Sequence, residues 1–175
     1  MFYTGTYGVS APLMSKIFDT LNSTLSAFDI PGGIAWSIAF EPLPTAITKH
    51  GDFNGGNSLG TEPMDGNGFS MSFSTCFDEC VLTTTVMLLS PLWSDASSND
   101  LVQNTAQDLG KRIAAVARDE GLLHRFQYLN YADPSQDPIG SYGYENVDFL
   151  RSTSKKYDPR SVFQKQVKGG FKLDL

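Results

Sequence analysis

The sequence predicts an α+β fold, an antiparallel sheet with helices packed on one face. Three observations carry that prediction. Residues 12–28 and 99–120 each repeat apolar side chains at helical spacing. Residues 34–43 alternate apolar and polar positions, as a half-buried strand does. Finally, the expected order is helix, strand, one or more further strands, helix, strand, helix. Hairpin-like strands with helices on one side belong to the α+β class.

The first helix places Leu13, Ile17, Leu21, Leu25 and Phe28 on one stripe, with Ser, Thr, Asn and Asp elsewhere. Ser10 suits the cap position and Pro12 the first turn. Pro31-Gly32-Gly33 closes the segment. The stripe reads as core packing. In the strand 34–43, Ile34, Trp36, Ile38 and Phe40 share one parity, and Ala35, Ser37, Ala39 and Glu41 the other. Pro42 and Pro44 end it, and Trp36 reads as core or pocket wall.

Asp52–Gly60 (DFNGGNSLG) is glycine-rich, but it lacks a following Lys-Ser/Thr and leads into no helix pattern. It reads as a turn rather than a phosphate cradle. Phe69–Leu92 is long and β-leaning, with Phe69, Met71, Phe73 and Thr75 alternating with serines. It contains both cysteines, Cys76 and Cys80. Their C-x3-C spacing, with no further Cys and distant histidines, falls short of the four ligands of a structural zinc site, so no metal is expected. The second helix carries Leu101, Thr105, Leu109, Ile113 and Val116 as its expected buried stripe. Ser98 or Asn99 serves as its cap, and Gly121 follows its end.

His124–Phe163 is the stretch on which the chain is organised. Phe126-Gln127-Tyr128-Leu129-Asn130-Tyr131 alternates aromatic or aliphatic residues with polar ones, and predicts a short strand or extended segment. Ala132–Gly140 is turn-rich. Tyr142–Lys156 suits an amphipathic helix with Arg151, Lys155 and Lys156 at its negative pole. Pro159 then ends it by restricting Asp158.

At 175 residues the chain has the length of one domain, and 41% hydrophobic with 18% charged residues is a globular composition. A net charge of −6 argues against a nucleic-acid or anionic-membrane surface. No apolar run approaches the roughly 20 residues of a membrane span. The N-terminus lacks the basic and apolar regions of a signal peptide. The sequence as written is therefore expected to be cytoplasmic.

Three motifs in order carry a family resemblance: Tyr128-x-Asn130-Tyr131-x-Asp133, Tyr142-Gly143-x-Glu145-Asn146, and Lys156-Tyr157-Asp158-Pro159-x-x-x-Phe163. They resemble the C-terminal segment of fungal FAD-linked oxidases of the berberine-bridge-enzyme type, within the vanillyl-alcohol-oxidase-type flavoproteins. The resemblance covers most of Trp36–Leu173 and matches 1–35 only loosely. It implies a substrate-domain-like sheet and helices over 1–123, and a segment 124–175 that returns to the FAD domain. An extra piece lies near 69–85, either a translated intron or an added hairpin arm.

In function, the resemblance implies oxidation of a small organic metabolite, with hydride transfer to FAD and O2 as acceptor. It places Asn130 beside the flavin ring, with Gln127 as a weaker candidate, and Tyr128 and Tyr131 at the ring's rim as the base. Members are longer and hold the dinucleotide in their N-terminal half, often behind a secretion signal. By that comparison the chain is expected not to retain FAD alone and to need a chain supplying the FAD-binding half. The alternatives are a flavin-free accessory or small-molecule-binding module, or a truncated product without function.

Overall fold

Residues 1–43, 55–61 and 84–173 are described by the computed structural model. They form β1 (Tyr3–Gly8), α1 (Ala11–Leu25), β2 (Ile34–Pro42), β3 (Thr84–Trp93), α2 (Asn99–Asp119), β4 (Leu123–His124), α3 (Tyr144–Tyr157) and α4 (Val162–Lys165). The strands make one sheet in the order β2-β3-β1-β4, and every neighbouring pair is antiparallel. The α+β class holds. Both cysteines and most of the segment 69–85 lie outside the described residues. Thr84 and Thr85, its last two residues, open β3 opposite Gly8, Tyr7 and Pro42.

Side chains alternate across a sheet, and the register sorts them into two faces. Tyr7, Met87 and Leu89 are buried on one face with Ile38, Phe40 and Trp36 packed beside them. Against these lie Leu13, Ile17 and Leu21 of α1 and Ala106, Leu109, Ile113 and Ala117 of α2. The stripe expected on α1 is the one buried. Trp36 lies on this helix face, with Phe28 edge-on to it at 5.6 Å, so it is a core residue and not a pocket wall.

The stripe expected on α2 is rotated in its N-terminal half. Val102 and Ala106 are buried there, while Leu101 is 53% exposed. The cause is close approach. Gly110 is buried, and a Cβ on it would fall 2.0 Å from the Tyr3 ring, so the helix backbone rests on β1 through small residues. Alanine and glycine contribute little to a hydrophobic pattern, yet they mark this contact. The helix ends as its sequence predicts: Gly121 N–H donates to Arg118 O and Leu122 N–H to Ala117 O, the paired bonds of a glycine-terminated helix. At the other end Ser98 holds the cap position, but its hydroxyl donates to Asp95 Oδ2 at 3.2 Å instead of capping the helix, and Asn99 Oδ1 accepts the Trp93 indole N–H at 2.8 Å.

β1 is an element the sequence pattern left unread. Its only regular signal is Tyr3 and Tyr7 alternating with Thr4 and Thr6, interrupted by Gly5 and Gly8. Tyr7 becomes fully buried, and burial, followed by the neighbouring Tyr3, pushes its phenol far above the ordinary tyrosine range. A raised folded-state pKa favours the folded protein below the unfolded value, about 10. That advantage is lost as pH climbs from there through the folded value. Tyr7→Phe, which cannot ionise, is expected to flatten the alkaline fall in stability, measured by urea denaturation across that range. An unchanged slope would show that Tyr7 is not its source.

Candidate functional site

The second face of the sheet, turned away from α1 and α2, carries the motif residues. Its centre is Val86, buried beneath Phe126 and Tyr142 and flanked by Leu43, Tyr128, Tyr131 and Leu150. Phe126 and Tyr142 stack at 6.2 Å. Towards β2 no described residue covers this face, where Ala35, Ser37 and Glu41 are exposed. Leu92, at the far end of β3 on the same parity, is 73% exposed.

Of the short strand or extended segment expected over Phe126–Tyr131, no strand forms, and the backbone is extended at Tyr128 before it turns. β4 stops at His124, whose Nδ1 accepts the Phe126 N–H at 3.1 Å, a local bond that competes with the ladder. Leu129–Tyr131 then closes a 3₁₀ turn, with Tyr131 N–H donating to Tyr128 O. On a flat strand Tyr128 and Tyr131 would point to opposite faces. The turn instead brings their rings together edge to face, 4.9 Å apart. The Phe2 ring lies 6.2 Å from that of Tyr131, tilted by 60°.

The polar groups form two pairs. Asn130 Nδ2 donates to Tyr128 Oη at 3.0 Å. Tyr131 Oη donates to Glu41 Oε1 at 3.1 Å. This hydrogen bond, followed by the carboxylate's charge, raises the Tyr131 phenol above its ordinary value, so at neutral pH Tyr131 holds its proton against Glu41. The two tyrosines are therefore not equivalent: one oxygen accepts from an amide, the other donates to a carboxylate. Gln127 stands apart. Its N–H donates to Ser141 Oγ at 3.1 Å, and its Oε1 is buried with no hydrogen-bond partner among the described residues.

Glu41 is the site residue that sequence reasoning missed. It was visible only as the polar parity of β2. Its partner lies 90 residues further along the chain.

The motif is anchored from behind. Asp133, 3% exposed, accepts from Gln107 Nε2 of α2 at 3.0 Å and from Ser135 N at 2.9 Å. In the glycine-rich loop, Gly60 O accepts from Arg125 Nη2 at 2.6 Å. This long-range bond ties the loop to the start of the motif stretch, and residues 52–54 of the loop lie outside the described residues. Asn146 donates to Tyr142 O, and Asp158 caps α4 through the Val162 and Phe163 N–H groups. Tyr157 stays 74% exposed beneath Lys156. Among the described residues no cluster could hold a metal ion, and no helix is long and apolar enough to cross a membrane.

The Asn130 carboxamide both donates and accepts, while the Gln127 oxygen is a separate buried acceptor without a partner among the described residues.

No family model and no solved structure matches the chain. Among curated proteins it is 30% identical over 174 residues to the FAD-dependent monooxygenase sdcF of Emericella nidulans, covering 98% of this chain and 33% of that protein. It is 34% identical over 165 residues to the FAD-dependent monooxygenase drtC of Aspergillus calidoustus, covering 93% and 27%. It is 30% identical over 168 residues to the FAD-dependent monooxygenase CTB5 of Cercospora beticola, covering 95% and 29%. The chain thus spans a third or less of the length of these relatives. Along almost all of its own length it is related to fungal proteins named FAD-dependent monooxygenases, a relationship that supports an FAD-linked oxidoreductase family.

Proposed function

We propose that this chain is the substrate-side region of an FAD-linked oxidoreductase of the berberine-bridge type, and that it acts on a small organic metabolite bearing an oxidisable hydroxyl. The observation that carries the reading is the Tyr131–Glu41 pair on the second face of the sheet, beside Asn130 and Tyr128. The flavin, when bound, supplies the redox chemistry by accepting a hydride. Asn130 and Gln127 would hold its ring.

The chain's own residues handle the proton. An ordinary tyrosine is a poor base at neutral pH. Here Tyr131 can receive the substrate's hydroxyl proton on Oη while passing its own proton to Glu41 Oε1. The Tyr131 phenol is re-formed in the same step and the proton rests on the carboxylate. Tyr128, held by the Asn130 amide, walls the site and orients the substrate.

Since the chain spans a third or less of its relatives, the reading assigns the flavin-holding part to the remainder of such a protein. FAD added to the 175-residue chain and then removed by desalting is expected to leave no visible absorbance. The same chain supplied with the upstream segment of a relative is expected to turn yellow. A complete assembly that binds no flavin would sink the reading. The relatives' name, FAD-dependent monooxygenase, raises a second outcome, oxygen insertion. Turnover under 18O2 separates the two: label confined to hydrogen peroxide means oxidation with O2 as electron acceptor, and label in the product means monooxygenation.

A further inference from the structure

We propose that Gln136 is a positioning residue for the Tyr131–Glu41 pair, pinning the motif turn to the edge of the sheet; the inference rests on the proton-handling role proposed above. Thr6 and Tyr7 of β1 pair with β4, but β4 ends at His124 and leaves Thr4 beyond its reach. The Gln136 carboxamide takes the vacant place on the ladder. Thr4 N–H donates to Gln136 Oε1 at 3.0 Å, and Gln136 Nε2 donates to Thr4 O at 2.8 Å. A side-chain amide thus does what a peptide group of an adjacent strand would do.

The same Oε1 also accepts the Asp133 N–H at 3.0 Å. Asp133 stands two residues after Tyr131, with its carboxylate fixed by Gln107 and Ser135. One carboxamide therefore ties β1 to the end of the Tyr128–Asp133 segment. Tyr131 must reach across the sheet to Glu41 on β2, the strand at the opposite edge from β4. A turn free to shift by an ångström would break a 3.1 Å bond. No other side chain among the described residues hydrogen-bonds both β1 and this turn.

The test is 13C NMR of tyrosine Cζ on the full chain, with the Tyr131 signal assigned through Tyr131→Phe. In the parent, Tyr131 is expected to begin ionising at higher pH than an exposed tyrosine, and Glu41→Gln is expected to abolish that delay. Gln136→Met keeps the side-chain length and deletes all three bonds. It is expected to bring Tyr131 down to an ordinary titration near pH 10. Gln136→Asn, the milder variant, keeps a carboxamide but draws it one methylene back from Thr4 and Asp133, and is expected to move Tyr131 the same way if Gln136→Met does not fold. Ile113→Ala, a core destabiliser, is the control and should leave Tyr131 in place.

A Gln136 variant that lowers the melting temperature while Tyr131 still titrates late overturns the positioning role and leaves the pair standing. If Glu41→Gln itself leaves Tyr131 unmoved, the pair is absent, and the inference falls together with the proton-handling role.

Discussion

Replacing Tyr131 with phenylalanine is expected to lower turnover of the flavin-loaded assembly by about 10²–10⁴-fold, the range that a positioned proton-transfer group supplies. The ring contacts with Tyr128 and Phe2 survive the change, and only Oη is lost. Glu41 is exposed, so water replaces its partner and the fold is expected to hold. The loss should therefore fall on kcat, with the melting temperature nearly unchanged. A rise in KM at constant kcat would mean that Tyr131 binds substrate and takes no part in proton transfer. Glu41→Gln is expected to follow Tyr131→Phe, and the double variant should cost little more than either alone. Two residues that act as one relay do not contribute additively.

Ile113→Ala is the largest expected effect on stability, about 2–5 kcal/mol. Ile113 is fully buried where α1, α2 and the sheet meet. Its truncation leaves a cavity that a close-packed helix cannot collapse into, least of all one seated on β1 through Gly110. Domains of this kind hold roughly 5–15 kcal/mol in total, so the variant is expected to lose a large share of its stability. The urea midpoint should fall with little change in slope. Leu101→Ala is the informative contrast. The sequence pattern ranks Leu101 with Ile113, but at 53% exposure it is expected to cost no more than about 0.5 kcal/mol. Equal losses at the two positions would mean that α2 is rotated from the packing described.

Local sequence determined the elements whose signal is local. The helices α1, α2 and α3 and the strand β2 follow from periodicity, from Pro12 and from Gly121, because 3.6- and 2-residue repeats need no distant partner. The motif Tyr128-x-Asn130-Tyr131 was legible as the candidate site on which the proposal rests. The tertiary structure decided the rest. β1 is a strand because β3 and β4 pair with it, not because YTGTYG compels it. Phe126–Tyr131 does not extend β4 because His124 and Gln136 take up the hydrogen bonds a longer strand would have used. The buried face of α2 is set by how closely Gly110 lets it approach Tyr3. The Tyr131–Glu41 and Gln136–Thr4 contacts join residues 90 and 132 positions apart. Such contacts depend on strand order and register, which arise from burying the whole apolar face at once and leave no periodic trace in the sequence around either partner.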